Sequence, residues 1–167
     1  NAKPEVIFMI GAYKTNSLFI KKAKENENLK DAIFCNISFG DANSMVKELE
    51  KLNTNSKNLI FSQVVPNYAD KNLPIVLEYQ NLMQKYYPKE ELGFLSFEAF
   101  LSAKILVNAI SRIKGDITRK KFLYMLKTTP NNLLDGINLE FKNSQLLNKI
   151  YLFKYENNEF IKIKNEK

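Results

Sequence analysis

Val6 to Ile10 are five consecutive apolar side chains that end in Gly11-Ala12-Tyr13 and run straight into a helix-period pattern. A strand that is apolar on both faces belongs inside a parallel sheet, and small residues at its carboxyl end belong to the loop where open α/β sheets take ligands. Such a strand is not expected to come first in its sheet, so a partner region is expected to be missing from this chain. The unit then repeats. A helix is predicted over Thr15 to Glu25, capped by Thr15 or Asn16, with Leu18, Phe19, Ile20 and Ala23 on its apolar face. Ala32 to Ile37 is a second strand. The turn Ser38-Phe39-Gly40-Asp41 follows, then Met45, Val46, Leu49 and Leu52 at helical spacing, with Asp41 placed as the N-cap. A polar turn from Asn53 to Lys57 leads to a third strand, Leu59 to Val65, stopped by Pro66, which cannot continue a ladder. Three strands with two intervening helices imply right-handed crossovers and a parallel sheet.

After Pro66 the pattern changes. A loop rich in Asn, Asp and Lys precedes a helix over Leu73 to Tyr86, with Ile75, Tyr79, Leu82, Met83 and Tyr86 on one face. The next helix, Ser96 to Ile113, is apolar almost all round and is expected to be covered on more than one side. A third starts at Thr118, with a staple between Ile117 and Phe122, and ends at Thr128-Thr129-Pro130. In the tail, Ile137, Leu139 and Phe141 alternate with polar residues, Ile150 to Tyr155 alternates likewise, and Glu156 to Glu159 makes a turn into Phe160 to Ile163, which predicts half-exposed antiparallel strands. The fold class is therefore α/β, a Rossmann-like parallel sheet with flanking helices and a carboxyl-terminal antiparallel strand pair.

Composition mainly excludes. With 167 residues, 45% of them apolar, the chain can bury one ordinary core without disulfides or metals. The net charge of +7 is spread along it: nine basic against seven acidic residues in 1–65, ten against six in 66–130 and six against five in 131–167. Only two of the 25 basic residues are Arg, the residue that reads bases and grips phosphates with a planar fork. The densest basic stretch, Arg112, Lys114, Arg119, Lys120 and Lys121, has no interleaved aromatic to stack on a base, so solvated lysine is the better reading and no nucleic-acid partner is expected. Cys35 lies in an apolar strand pattern and reads as a buried, inert thiol. There is no His, so the usual triads, zinc sites and imidazole schemes cannot be built within the chain. Glu48 with Glu50, and Glu90 with Glu91, read as solvated charges and not as tuned acids. The five glycines are isolated, so neither a P-loop nor a dinucleotide fingerprint occurs. No enzyme activity and no cofactor are expected. No stretch reaches 18 apolar residues, and the amino terminus lacks a signal-peptide series, so an export signal is expected upstream; Asn1 and Ala2 fit a remnant of a cleaved tag.

What remains are the loops after the strands, Gly11-Ala12-Tyr13 and Ile37-Ser38-Phe39 with Gly40. Small residues there let a ligand approach backbone amides at a helix N-terminus, where the dipole favours a carboxylate, and Tyr13 adds a flat face with a hydroxyl. The same residues are equally compatible with tight strand-to-helix turns and a Tyr13 that packs over a helix end.

The strand, Gly11-Ala12-Tyr13 and Phe19-Ile20-Lys21-Lys22-Ala23 resemble the second lobe of type I periplasmic solute-binding proteins of the Leu/Ile/Val-binding class. Ile37-Ser38-Phe39-Gly40 looks like that family's second site loop, and Ser62-Gln63-Val64-Val65-Pro66 like the strand that crosses between lobes. Phe97 to Val107 is similar to its long helix, Ile117-Thr118-Arg119 to the start of the next, and Leu134-Asp135-Gly136-Ile137 with Tyr151-Leu152 to its closing strands. The resemblance implies a periplasmic protein that captures a small-molecule solute between two hinged lobes and delivers it to the membrane permease of an ABC transporter. It also implies ligand-binding roles for Gly11, Ala12, Tyr13, Ile37, Ser38 and Phe39. Residues 1–65 would belong to the second lobe, 66–134 to the first, and 135–167 to strands returning to the second, with most of the first lobe not included. Branched-chain amino acids, amides and small aromatic acids are the ligands considered. Amino-acid-binding relatives place an acid in the second loop where Ile37 or Ser38 stands here, which weakens an α-amino acid; Asp41 would serve only if the register slips. The helices left without their sheet are expected to fold back or to form a homodimer. Alternatives are an extracytoplasmic sensing domain of a receptor or kinase, and a truncated remnant without ligand.

Overall fold

A computed structural model describes residues 3–164; Asn1 and Ala2, and with them the tag-remnant reading, lie outside the described residues. The chain divides after Asn67 and again before Ile150, giving one unit that holds the sheet and a second over Tyr68–Lys149.

The first unit is built on β1 (Val6–Met9), α1 (Tyr13–Lys24), β2 (Ile33–Asn36), α2 (Ala42–Lys51), β3 (Leu59–Gln63), β4 (Tyr151–Glu156) and β5 (Glu159–Lys162), with a single 3₁₀ turn at Ser38–Gly40. The strands lie in the order β1-β2-β3-β4-β5. β1, β2 and β3 are parallel, as expected, and β4 joins the same sheet antiparallel to β3, with Phe61 opposite Phe153. Asn157 and Asn158, at φ 52° and 63°, make the two-residue turn into β5. Asn tolerates that left-handed region better than most residues, which suits a hairpin turn of this hand.

Both helices pack on one face of the sheet, where Ser17 Oγ donates to the Met45 carbonyl at 3.4 Å and so ties α1 to α2. Ile20, Ala23, Met45, Val46 and Leu49 meet Phe34, Leu59, Phe61 and Phe153 in the core, and all of them are buried. Phe160 closes its lower side, edge-on to Phe61 at 5.6 Å. The other face carries Val6, Phe8 and Leu152, which are exposed, and Ile33, Cys35 and Ile60, which are half-buried. β1 is the edge strand among the described residues, where β2 is its only neighbour; Phe8 is 80% and Ile10 81% exposed. Cys35, expected to be buried, is a free, half-buried thiol, because it points to the face opposite the helices; partial burial pushes its pKa up.

α1 departs from the predicted pattern. It begins two residues earlier than expected, at an extended Ala12 that caps with no side chain, and Asn16 is not a cap but a buried residue inside the first turn. Leu18 and Phe19, expected on the apolar face, are 55% and 45% exposed, and Asn16, Ser17, Ile20 and Ala23 are the buried set. α2 keeps its predicted start. Asp41 accepts from the Ser44 backbone N–H at 3.2 Å and from Ser44 Oγ at 2.5 Å. Asp41→Ala is expected to cost about 1 kcal/mol, the usual loss for an N-cap, while Asp41→Asn retains most of it; urea denaturation of the pair checks this.

The second unit holds α3 (Pro74–Tyr86), α4 (Phe94–Ser111) and α5 (Arg119–Lys127). Tyr79, Phe97 and Phe100 form its aromatic centre, with the Tyr79 hydroxyl on Ser96 Oγ at 2.6 Å. α4 is covered on one side only: Phe94, Phe97, Leu101 and Ala109 are buried, whereas Leu95, Leu106, Val107 and Ile110 are exposed, so the expectation of cover on more than one side is not met. Thr118 caps α5 as predicted, accepting from the Lys121 N–H. The Ile117 side of the expected staple is exposed. Arg112 and Lys121 donate to main-chain carbonyls, Arg112 to Met125 and Thr128 and Lys121 to Lys114 and Asp116, so these cations finish helix ends. The alternation at Ile137, Leu139 and Phe141 forms no strand. Ile137 and Leu139 are buried from irregular chain, held by isolated bridges from Leu134 to Ile137 and from Lys142 to Gln145 and by an Ile75 N–H bond to the Asp135 carbonyl at 3.1 Å. Period-two burial is thus produced here without a ladder. Gly136 sits at φ +88° with Pro74 Cδ 3.1 Å from where a Cβ would lie, so both conformation and space require glycine.

Candidate functional site

The two loops singled out by sequence follow adjacent parallel strands and therefore emerge side by side at the carboxyl edge of the sheet. They touch through their glycines. A Cβ on Gly40 would lie 3.1 Å from the Gly11 carbonyl oxygen, and a Cβ on Gly11 would lie 2.5 Å from Asn16 Oδ1. Neither glycine has a positive φ, so close approach and not backbone freedom is what demands them. The glycines permit tight turns, and the turns bring the two loops together.

Around that contact Tyr13, Ile37 and Ser38 are half-buried, Ala12 is exposed and Phe39 is 59% exposed. Tyr13 opens α1 as its first helical residue, with Lys14 Nζ 6.0 Å from its ring centre. Ile37 leads into the 3₁₀ turn that Ser38 and Phe39 begin, and the turn closes with the Gly40 N–H on the Ile37 carbonyl at 3.1 Å. The edge therefore presents apolar faces from Ile37 and Phe39, hydroxyls from Tyr13 and Ser38, and the first-turn amides of α1. No acidic residue lies in that first turn and no side chain caps it, so the positive end of the helix dipole is left without a side-chain anion.

Asp41 is the carboxylate nearest in sequence to the second loop. Its two oxygens are held by Ser44, as a helix cap, so the slipped-register role for an ammonium group is not the one it plays here.

Behind the loops lies a layer that sequence reading missed. Asn36 and Gln63, the last residues of β2 and β3, are buried, and so is Asn16. Gln63 Nε2 has no hydrogen-bond partner among the described residues. The available signal was polarity at strand-end positions whose preceding alternation was apolar, Phe34 before Asn36 and Phe61 before Gln63. Among the described residues no group of His, Cys, Asp and Glu is arranged to hold a metal ion. A hollow of about 950 Å³ lined by Ile33, Ile60, Lys154 and Lys162 lies at the amino ends of the parallel strands. That is the wrong edge for ligand binding in an open α/β sheet.

A family model described as periplasmic binding protein matches residues 1–159. Among solved structures the chain is similar to a possible leucine/isoleucine/valine-binding protein from Rhodopirellula baltica SH 1, with 28% identity and a TM-score of 0.84, covering 96% of this chain and 43% of that one. It is similar in fold to a leucine binding protein from Thermotoga maritima MSB8, at 18% identity and a TM-score of 0.69, covering 96% of this chain and 44% of that one. The same holds for a branched-chain amino acid ABC transporter protein from Thermus thermophilus with bound valine, at 12% identity and a TM-score of 0.69, covering 96% and 45%. The chain thus spans less than half the length of each. No curated protein matches it.

Proposed function

From the chain's membership of the periplasmic binding protein family, we propose that it carries one set of ligand loops of a solute-binding protein that works outside the cytoplasmic membrane and serves the permease of an ABC-type importer. The observation that carries this reading is the contact of Gly11 with Gly40, which joins loops 11–13 and 37–40 into one surface at the carboxyl edge of the parallel strands. Binding residues in this reading are Gly11, Ala12, Tyr13, Ile37, Ser38 and Phe39.

The ligand is a small solute: a branched-chain amino acid, an amide or a small aromatic acid. Two features bear on the choice. The uncapped first turn of α1 favours a carboxylate or carbonyl oxygen, and neither loop 11–13 nor loop 37–40 contains an acid to hold an ammonium group. An acid or amide that presents oxygen to these loops therefore suits them better than a zwitterion that presents its ammonium.

Thermal denaturation of the protein expressed from its complete reading frame tests the reading. At a concentration 100-fold above Kd, L-leucine, L-isoleucine, L-valine, one of their amides or benzoate is expected to stabilise the folded state by about 2.7 kcal/mol. No shift with any of them removes the proposal. Calorimetry on the 167 residues alone is expected to show no micromolar binding, because similar structures with the same sheet are more than twice as long. One set of loops leaves most of a small ligand in water.

A further inference from the structure

Asn16 and Asn36 lie 20 positions apart, on α1 and at the end of β2, and meet in the interior. The two amide hydrogens of Asn16 are divided between the loops: Nδ2 donates to the Gly11 carbonyl at 3.0 Å and to Asn36 Oδ1 at 3.3 Å. Asn36 is anchored in turn, its Nδ2 donating to the Phe34 carbonyl at 3.2 Å and its carbonyl accepting from Ser62 Oγ at 3.4 Å. Asn36 directly precedes Ile37, the first residue of the second loop. The same Gly11 oxygen that Asn16 holds is the atom packed against Gly40.

Asparagine is a poor residue for a helix interior, and burying an amide is unfavourable unless its hydrogen bonds are made. Leucine, with the same number of side-chain heavy atoms, would serve α1 and an apolar core better if filling space were the only task. What leucine cannot do is take hold of a carbonyl in one loop and a side chain at the root of the other.

We propose that Asn16 and Asn36 form a positioning clamp that sets loop 11–13 against loop 37–40, so that the two loops keep or lose their geometry together. In binding terms the clamp pre-organises the surface and spares a ligand the cost of ordering it. That consequence rests on the solute-binding reading; the clamp itself is read without any ligand, so the two fail separately.

Amide hydrogen exchange on the 167-residue protein provides the test, with each loop reporting on a substitution made in the other. The Gly40 and Asp41 N–H groups, bonded to the carbonyls of Ile37 and Ser38, report on the second loop; the backbone N–H at position 16, bonded to Ala12, reports on the first. Asn16→Leu is expected to speed exchange at Gly40 and Asp41 at least tenfold, and Asn36→Leu to do the same at position 16, while β3 amides keep their rates. The double variant is expected to be no faster than either single one. Acceleration confined to the substituted residue's own loop, equal acceleration in β3, or additive single effects would each overturn the clamp. If Asn36→Leu does not fold, Asn36→Ala carries the test, since it removes the acceptor for Asn16 Nδ2 without adding bulk or charge. Faster exchange at position 16 is then expected, and unchanged protection there sinks the proposal.

Discussion

Truncation of Phe61 to alanine is expected to destabilise the sheet unit by about 3–5 kcal/mol, a fall of about 12–40 °C in its melting temperature. Phe61 stands in the middle strand of five and is 1% exposed. It faces Phe153 across the antiparallel pair and meets Phe160 edge-on, so it joins the parallel half of the sheet to the antiparallel half. The surrounding strands are fixed by their ladders and cannot collapse into the void, which puts the loss at the upper end for a core residue. Phe8→Ala, on the opposite face, removes the same atoms from a side chain that is 80% exposed and is expected to change stability by less than about 0.5 kcal/mol. Guanidinium denaturation followed by sheet-unit amides separates the two. Equal losses would mean that the burial described here does not hold.

Gly40→Ala is expected to cost about 1–3 kcal/mol, through overpacking alone. The added Cβ would meet the Gly11 carbonyl oxygen at 3.1 Å and Met45 Cε at 3.8 Å. Met45 can yield, because a flexible thioether end moves cheaply. The Gly11 oxygen cannot move alone, since it is main chain and is held by Asn16 Nδ2. Relief therefore requires the two loops to part, and the substitution should depress the denaturation midpoint and accelerate exchange at Gly40 and at position 16 together. A midpoint within about 0.5 kcal/mol of the parent protein would show that the loops are not in contact in solution.

Much of the architecture was legible because its signals are local. The apolar runs at Val6, Ala32 and Leu59 each contain an observed strand, Asp41 and Thr118 cap the helices they were expected to cap, and Asn157-Asn158 lies in the expected turn. Capping and turn conformation depend on a few neighbouring residues, so a short stretch of sequence carries them. The failures share the opposite property. Ile137, Leu139 and Phe141 alternate as a strand would, yet burial comes from neighbours distant in sequence and no ladder forms. Leu18 and Phe19 were expected inward, but the side of α1 that meets the sheet also meets the strand ends, and there Asn16 and Ser17 take the buried positions. Helical spacing identifies a stripe without saying what faces it.

The order of elements, the parallel direction of β1 to β3 and the placing of two glycine loops at one edge followed from sequence, because strand-helix-strand connection and apolar runs leave few topologies to choose from. Only the tertiary structure decided that the two loops meet at Gly11 and Gly40, that Asn16 leaves the cap to lie beneath them, and that it reaches Asn36 across 20 residues. The reason is distance along the chain: a hydrogen bond between side chains on different elements depends on how those elements pack, and no periodicity within either one encodes it.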